Sequence, residues 1–205
     1  SISNVVIPNG VTSIGEMAFY NCSSLDKIII PDSVTSIESS AFWGCDNLTA
    51  IHVSEGNPNY SSIDDILFDK DQTTLILFPS GKTQYAYEIP NGITTIKERA
   101  FNRCRLVEIT IPNSVTTIEK KAFSDCYQLI EITIPDSVTS IGESAFEYCS
   151  ILAEITIPNS ITILNKGVFA GCSDLKKISL PNSITEIGEL AFAYCYNITK
   201  ITIPN

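Results

Sequence analysis

Of 205 residues, 44% are apolar and 18% charged, a balance that belongs to a folded globular chain and excludes a disordered tail or a collagen-like repeat. Thirteen basic against 23 acidic residues give a formal charge of −10, which opposes binding to nucleic-acid phosphates, so nucleic acid is not expected as a partner. No apolar run nears the roughly 18 residues that cross a bilayer, SISNVVIPNG lacks the basic start and apolar core of a signal peptide, and a single histidine leaves little scope for metal or acid–base chemistry.

Taken in order, the chain opens on the strand-like segment ISNVVIP, turns at Pro8 and Asn9, and runs through VTSI to AFYNC. The unit returns at once as LDKIIIP, DSVTSI and AFWGC, ending at Cys45. Apolar residues alternate with polar ones before each proline, as in LIEITIP (129–135), which predicts a short strand with one buried face. Proline fixes φ and the Asx residue after it can bond its own backbone, so the chain reverses there. Ala145, Phe146 and Cys149 and their equivalents lie three and four residues apart, the spacing of one helical face, and predict a short helix.

Between Val53 and Ile89 the rhythm is lost. Ile66 to Phe68, the polar DKDQT and Thr74 to Phe78 predict a β-hairpin inserted at about residues 54–88. Tyr60, Phe68, Tyr85 and Tyr87 there are expected to offer aromatic anchors to a partner. Asp69, Asp71 and Thr73 resemble the opening of a calcium loop, but Thr74 replaces its glycine and Ser80 its glutamate, so a solvated turn is the reading. Five more units follow, closing at Cys104, Cys126, Cys149, Cys172 and Cys195.

The seven cysteines are separated by 23, 59, 22, 23, 23 and 23 residues, which is a repeat period and not a disulfide pattern. Each stands alone in its unit, without the paired ligands zinc needs, and reads as a small buried hydrophobe in a ladder of reduced thiols. A single unit cannot bury enough apolar surface to offset its ordering, so neighbours must cover both its faces.

The stretches CSSLDKIIIPDSVTSIESSAF (22–42) and CYQLIEITIPDSVTSIGESAF (126–146), with their equivalents, resemble leucine-rich repeats, L-x-x-L-x-L followed by a turn, and among these the BspA-like family. The resemblance covers essentially the whole chain. It implies an α/β leucine-rich repeat solenoid forming a single domain over 1–205, a horseshoe with a parallel β-sheet on its concave face and short helical turns opposite. One departure is the Asx column (Asn9, Asp32, Asn91, Asn113, Asp136, Asn159, Asn182), which directly follows proline, so the turn chemistry of common leucine-rich repeats does not transfer. The chain starts and ends on strands without an atypical capping unit and is read as an excerpt of a longer array.

No serine elbow, second histidine or phosphate-cradling glycine run is present, so no catalytic, cofactor-binding or metal-binding residue is assigned and no cofactor is expected. Stacked strands align Glu108, Glu131 and Glu154 in a column continued by Lys177 and Lys200, beside Thr110, Thr133, Thr156, Ser179 and Thr202. With His52 on the same side, these residues form the candidate protein-binding face. A lone threonine column gives little support to ice binding. The resemblance implies a non-enzymatic module of a bacterial or protist cell-surface or secreted protein, binding a host or cell-surface protein in adhesion. The alternative is a structural spacer displaying another domain.

Overall fold

Each regular coil lays down one longer strand, turns at the Pro-Asx pair, adds a two-residue strand and returns through the segment that ends in cysteine. Equivalent strands of successive coils pair in parallel. The computed structural model describes residues 4–201. Its first coils carry β1 (Asn4–Val6), β2 (Ser13–Ile14), β3 (Lys27–Ile30), β4 (Ser36–Ile37) and β5 (Ala50–Val53). The irregular unit adds β6 (Tyr60–Ile63), β7 (Ile66–Asp69) and β8 (Thr74–Leu77). Regular coils resume with β9 (Ala86–Glu88), β10 (Thr95–Ile96), β11 (Glu108–Thr110), β12 (Thr117–Ile118), β13 (Glu131–Thr133) and β14 (Ser140–Ile141), then β15 (Glu154–Thr156), β16 (Ile163–Leu164), β17 (Lys177–Ser179) and β18 (Glu186–Ile187).

The longer strands build a main sheet in three blocks, β1-β3-β5, β9-β11-β13 and β15-β17. The two-residue strands build a lateral sheet whose largest block contains β8, β10, β12 and β14. Alternation holds in the main sheet: Ile28, Ile109, Ile132, Ile155 and Ile178 point inward while their strand neighbours are exposed. Inside, phenylalanine stacks on phenylalanine, with Phe101, Phe123 and Phe146 at successive centroid separations of 5.2 Å. Such offset aromatic contacts add to the area they bury.

The short helices expected opposite the sheet are not there: among the described residues no helix forms, so the chain is a β-solenoid and not an α/β one. The segments around AFxxC are chains of three-residue turns, as where Ser124 N–H donates to Lys121 O and Cys126 N–H to Phe123 O. Lys121 and Asp125 hold left-handed φ angles of 56° and 60°, and Gly167 and Gly171 hold 61° and 76° at the equivalent places. A left-handed residue every fourth position breaks the run an α-helix needs. It also turns alternate N–H groups toward the next coil, where Lys121, Phe123 and Asp125 donate to Glu143 O, Ala145 O and Glu147 O. The three-and-four spacing suits either structure. The carbonyls of the neighbouring coil decide for the turns.

The inserted hairpin is also corrected. It is a three-stranded antiparallel meander, β6-β7-β8, and its last strand pairs in parallel with β10 as a regular member of the lateral sheet. Asp64 and Asp65, at φ 50° and 67°, form the two-residue turn between β6 and β7, a type I′ arrangement that aspartate tolerates. The meander is a wall through the interior. Ile66, Phe68, Leu75 and Phe78 face the C-terminal core, whereas Leu67, Ile76 and Leu77 face the N-terminal one.

Side chains replace the missing coil backbone on the N-terminal side of this wall. The fully buried Asn57 donates its amide to Pro31 O and Val34 O at 2.8 and 3.0 Å. Ile37 N–H donates to the Tyr60 hydroxyl at 2.9 Å, and Asn59 Nδ2 to Thr35 O at 2.9 Å.

Candidate functional site

The outward side of the main sheet is assembled by strand register alone. Glu108 lies opposite Glu131 and Thr110 opposite Thr133 across β11 and β13, while Glu154 faces Lys177 and Thr156 faces Ser179 across β15 and β17. All eight are exposed, as are His52 and Lys200. Thr202 lies outside the described residues. The columns are not one uninterrupted ladder, because β13 and β15 fall in separate blocks of the sheet. Shallow depressions of about 420 and 360 Å³ follow the face from β11 to β13 and from β13 to β15.

Charge on this face changes sign along the stack. Lys177 Nζ bonds Glu154 Oε2 at 3.0 Å, with both side chains about two-thirds exposed, so the pair adds little stability. Among the described residues Glu108 and Glu131 have no cation within bonding range. Like charges placed opposite each other in a sheet repel, so this pair of carboxylates is suited to a cation brought by another molecule.

The register also places residues that sequence reasoning missed. Glu88 occupies the threonine column opposite Thr110, and Ala86 the glutamate column opposite Glu108. Aligning the segments on Pro90 and Pro112 would have found both. At the N-terminal end the same column carries Val6 and Ile29, 84% and 56% exposed, with Ile29 next to His52. In the glutamate column the same end carries the exposed Lys27, so only the threonine column is apolar there.

His52 Nδ1 is 3.5 Å from Asp65 Oδ1 at the tip of the β6–β7 turn. Lys82 Nζ braces the same turn, donating to Asp64 O at 2.9 Å and lying 3.5 Å from Asp65 Oδ2. Of the four aromatics expected to anchor a partner, Phe68 is fully buried, and Tyr60 and Tyr87 are half-buried; only Tyr85 is open, at 66%. Burial pushes the Tyr87 hydroxyl up to about 12. The alternating wall of the meander explains the correction, since its strands have a core on each side.

Asp69, the first residue of the calcium-like run, spends its carboxylate on the turn. Oδ1 accepts from Thr73 N–H and Thr74 N–H at 2.8 and 2.9 Å, and Oδ2 from the Thr73 hydroxyl at 2.7 Å. Among the described residues no group of three or more His, Cys, Asp or Glu side chains is placed to hold a metal ion, and no helix is long and apolar enough to cross a membrane. The cysteines are unbridged, five of them buried and Cys22 and Cys195, in the end coils, half-buried. The thiols of Cys45, Cys126, Cys149, Cys172 and Cys195 each donate to a phenylalanine carbonyl of a neighbouring coil at 3.0 to 3.2 Å. Cys104, which follows the irregular unit, instead meets Cys126 Sγ at 3.2 Å.

Stacked parallel strands, a phenylalanine spine and one outward sheet face define a leucine-rich repeat solenoid. The chain belongs to the family described as BspA type leucine rich repeat region, whose model matches residues 1–89 and 94–205 in six copies. Three solved structures are similar to it. A leucine-rich repeat protein from Eubacterium ventriosum is 32% identical over 97% of this chain, with a TM-score of 0.83. A leucine rich cell surface protein from Faecalibacterium prausnitzii is 34% identical over 94%, with a TM-score of 0.85. The pneumococcal vaccine antigen PcpA is 28% identical over 82%, with a TM-score of 0.70. The chain spans 60%, 57% and 44% of those proteins respectively. No curated protein matches it.

Proposed function

We propose that this array is a non-enzymatic protein-interaction module of a cell-surface or secreted protein, and that the outward face of the main sheet makes the contact. The observation carrying this reading is the unpaired carboxylate pair Glu108 and Glu131, held opposite each other on a sheet whose other side is packed core. A scaffold held rigid by its core can present such charges at fixed spacing. Similarity to a leucine rich cell surface protein and to a vaccine antigen supports the location. Adhesion to a host or neighbouring-cell protein is the role that fits, with His52, Glu108, Thr110, Glu131, Thr133, Glu154, Thr156, Lys177, Ser179 and Lys200 as its surface.

The test reverses Glu108, Glu131 and Glu154 to Lys together and measures capture of intact cells and extracellular-matrix proteins at physiological salt. Capture should fall about tenfold or more, because like charges placed across an interface are repulsive. Unchanged capture by the folded triple variant would leave the spacer reading in its place.

A further inference from the structure

From one regular coil to the next, the spine phenylalanine and the residue two places on each donate a backbone N–H: Phe19 to Ala41 O, Asn21 to Trp43 O, Phe101 to Ala122 O and Arg103 to Ser124 O. The coil that ends at Cys45 departs from this. Where the next AFxxC turn would stand, the chain runs through Leu77, Phe78, Pro79, Ser80 and Gly81. That segment is tied to the coil only past its turn, by Gly81 N–H to Leu48 O at 2.8 Å and the Ser80 hydroxyl to Cys45 O at 3.1 Å. Among the described residues Phe42 N–H and Gly44 N–H find no acceptor, although Phe42 is buried and buried backbone donors are nearly always paired. Both residues border a cavity of about 20 Å³ with Leu48, Leu77, Phe78 and Arg99, room for one atom of water or halide size. Its lining holds Arg99 and Arg103 and no carboxylate. Arg103 is committed to Asp46. The buried Nε of Arg99 has no hydrogen-bond partner, with Glu98 Oε1 3.6 Å away.

We propose that this cavity binds a monoatomic anion of chloride size, held by Phe42 N–H, Gly44 N–H and the Arg99 guanidinium. Buried donors without partners are the mark of a bound water or ion. A water has lone pairs for two of these donors and no charge to answer the arginine, whereas a halide accepts from all three. Hydrogen bonds between ionised groups are about twice as strong as neutral ones, and a charge drawn out of water is costly unless it is paired. The walls are otherwise apolar, and the volume excludes a carboxylate or sulfate. Bound there, the ion takes the place of the carbonyls of the omitted turn and joins the coil ending at Cys45 to the coil ending at Cys104. The site lies among the turns and does not depend on the main sheet being the binding face.

The probe is sodium chloride, exchanged for sodium gluconate at constant ionic strength, with the isotope-labelled chain followed by amide chemical shifts. Saturable shifts centred on Phe42 and Gly44 are expected. Sodium bromide should reproduce them, and sodium sulfate, whose anion is too large for the cavity, should not. Arg99→Gln should weaken chloride binding about tenfold or more, the loss of one charge-assisted hydrogen bond. Broadening of the chloride resonance by the parent protein, reversed by bromide and absent with the Gln variant, is the second readout. If that variant does not fold, the comparison of bromide with sulfate on the parent decides. Equal shifts in chloride and sulfate, shifts centred elsewhere, no response to chloride, as for a cavity that holds water alone, or unchanged affinity in the folded Gln variant would each overturn the anion site.

Discussion

Arg103 and Asp46 are 57 residues apart in sequence yet form a two-pronged ion pair, Nε to Oδ1 and Nη2 to Oδ2, both at 2.9 Å. Around it Arg105 Nη2 donates to Asp46 O at 3.2 Å, and the Arg99 guanidinium lies 5.1 Å from the centre of the Trp43 ring. The three arginines of the chain and its one tryptophan meet where the irregular unit lacks an AFxxC turn. They span the notch that omission leaves between the coils on either side.

Replacing Arg103 with Ala should lower stability by about 1 kcal/mol, because both partners are more than a third exposed and solvent screens the pair. Arg103→Lys should restore less than half of that, since a point charge cannot reproduce the fork. Urea unfolding of the three proteins checks this, and a lysine variant as stable as the parent would contradict it.

Phe146→Ala should cost about 3 to 5 kcal/mol, the usual range for emptying a large core site. Phe146 is fully buried and stacks on Phe123 and Phe169. Thr133→Ala, on the outward face, should stay within about 0.5 kcal/mol. Similar losses from both would mean that the inward and outward columns are wrongly assigned.

The thiols should be silent to a titrating reagent until the chain is unfolded. Burial pushes the Cys45 thiol from its ordinary 9.0 up to about 12 and the Cys195 thiol up to about 11. A neutral form favoured in the folded state contributes stability below the unfolded value. That contribution is lost as pH rises from about 9 toward the folded values, because the unfolded chain ionises first. Melting between pH 8 and 10.5 should therefore fall more steeply for the parent than for Cys45→Ala. Rapid labelling in the folded protein would defeat the ladder.

Asp65→Val should destabilise by about 1 to 2 kcal/mol, the cost of a bulky residue in the left-handed region. Asp64→Asn with Asp65→Gly should be tolerated, since that pair is preferred in type I′ turns. Thermal unfolding checks both, and a neutral valine would show that the turn has relaxed.

Proline and cysteine periods were enough to read the coils, the inward apolar columns and the register of Glu108 with Glu131, because period-2 alternation leaves a strand one choice of face. Helix and three-residue turn share the spacing of Ala145, Phe146 and Cys149, and the choice between them depends on bonds to another coil. Asn21, Gly44, Asp125, Gly167 and Gly171 were the available sign, being residues that accept positive φ. The third strand of the irregular unit escaped notice because Tyr60 to Ile63 is half-buried throughout and shows no alternation. The unpaired N–H groups of Phe42 and Gly44 depend on the course of Leu77 to Gly81 beside them, which no local pattern encodes.

The wall formed by β6, β7 and β8 also bears on how the molecule carries load. Pulled along its axis, a stack of paired coils shares tension among main sheet, lateral sheet and turn. At the wall the main sheet is not continuous from β5 to β9. Force there passes through the β8–β10 pairing, the bond from Phe78 N–H to Ala100 O and the arginine bridge to Asp46. Under tension the array should yield first at this seam, leaving stacked coils on either side intact.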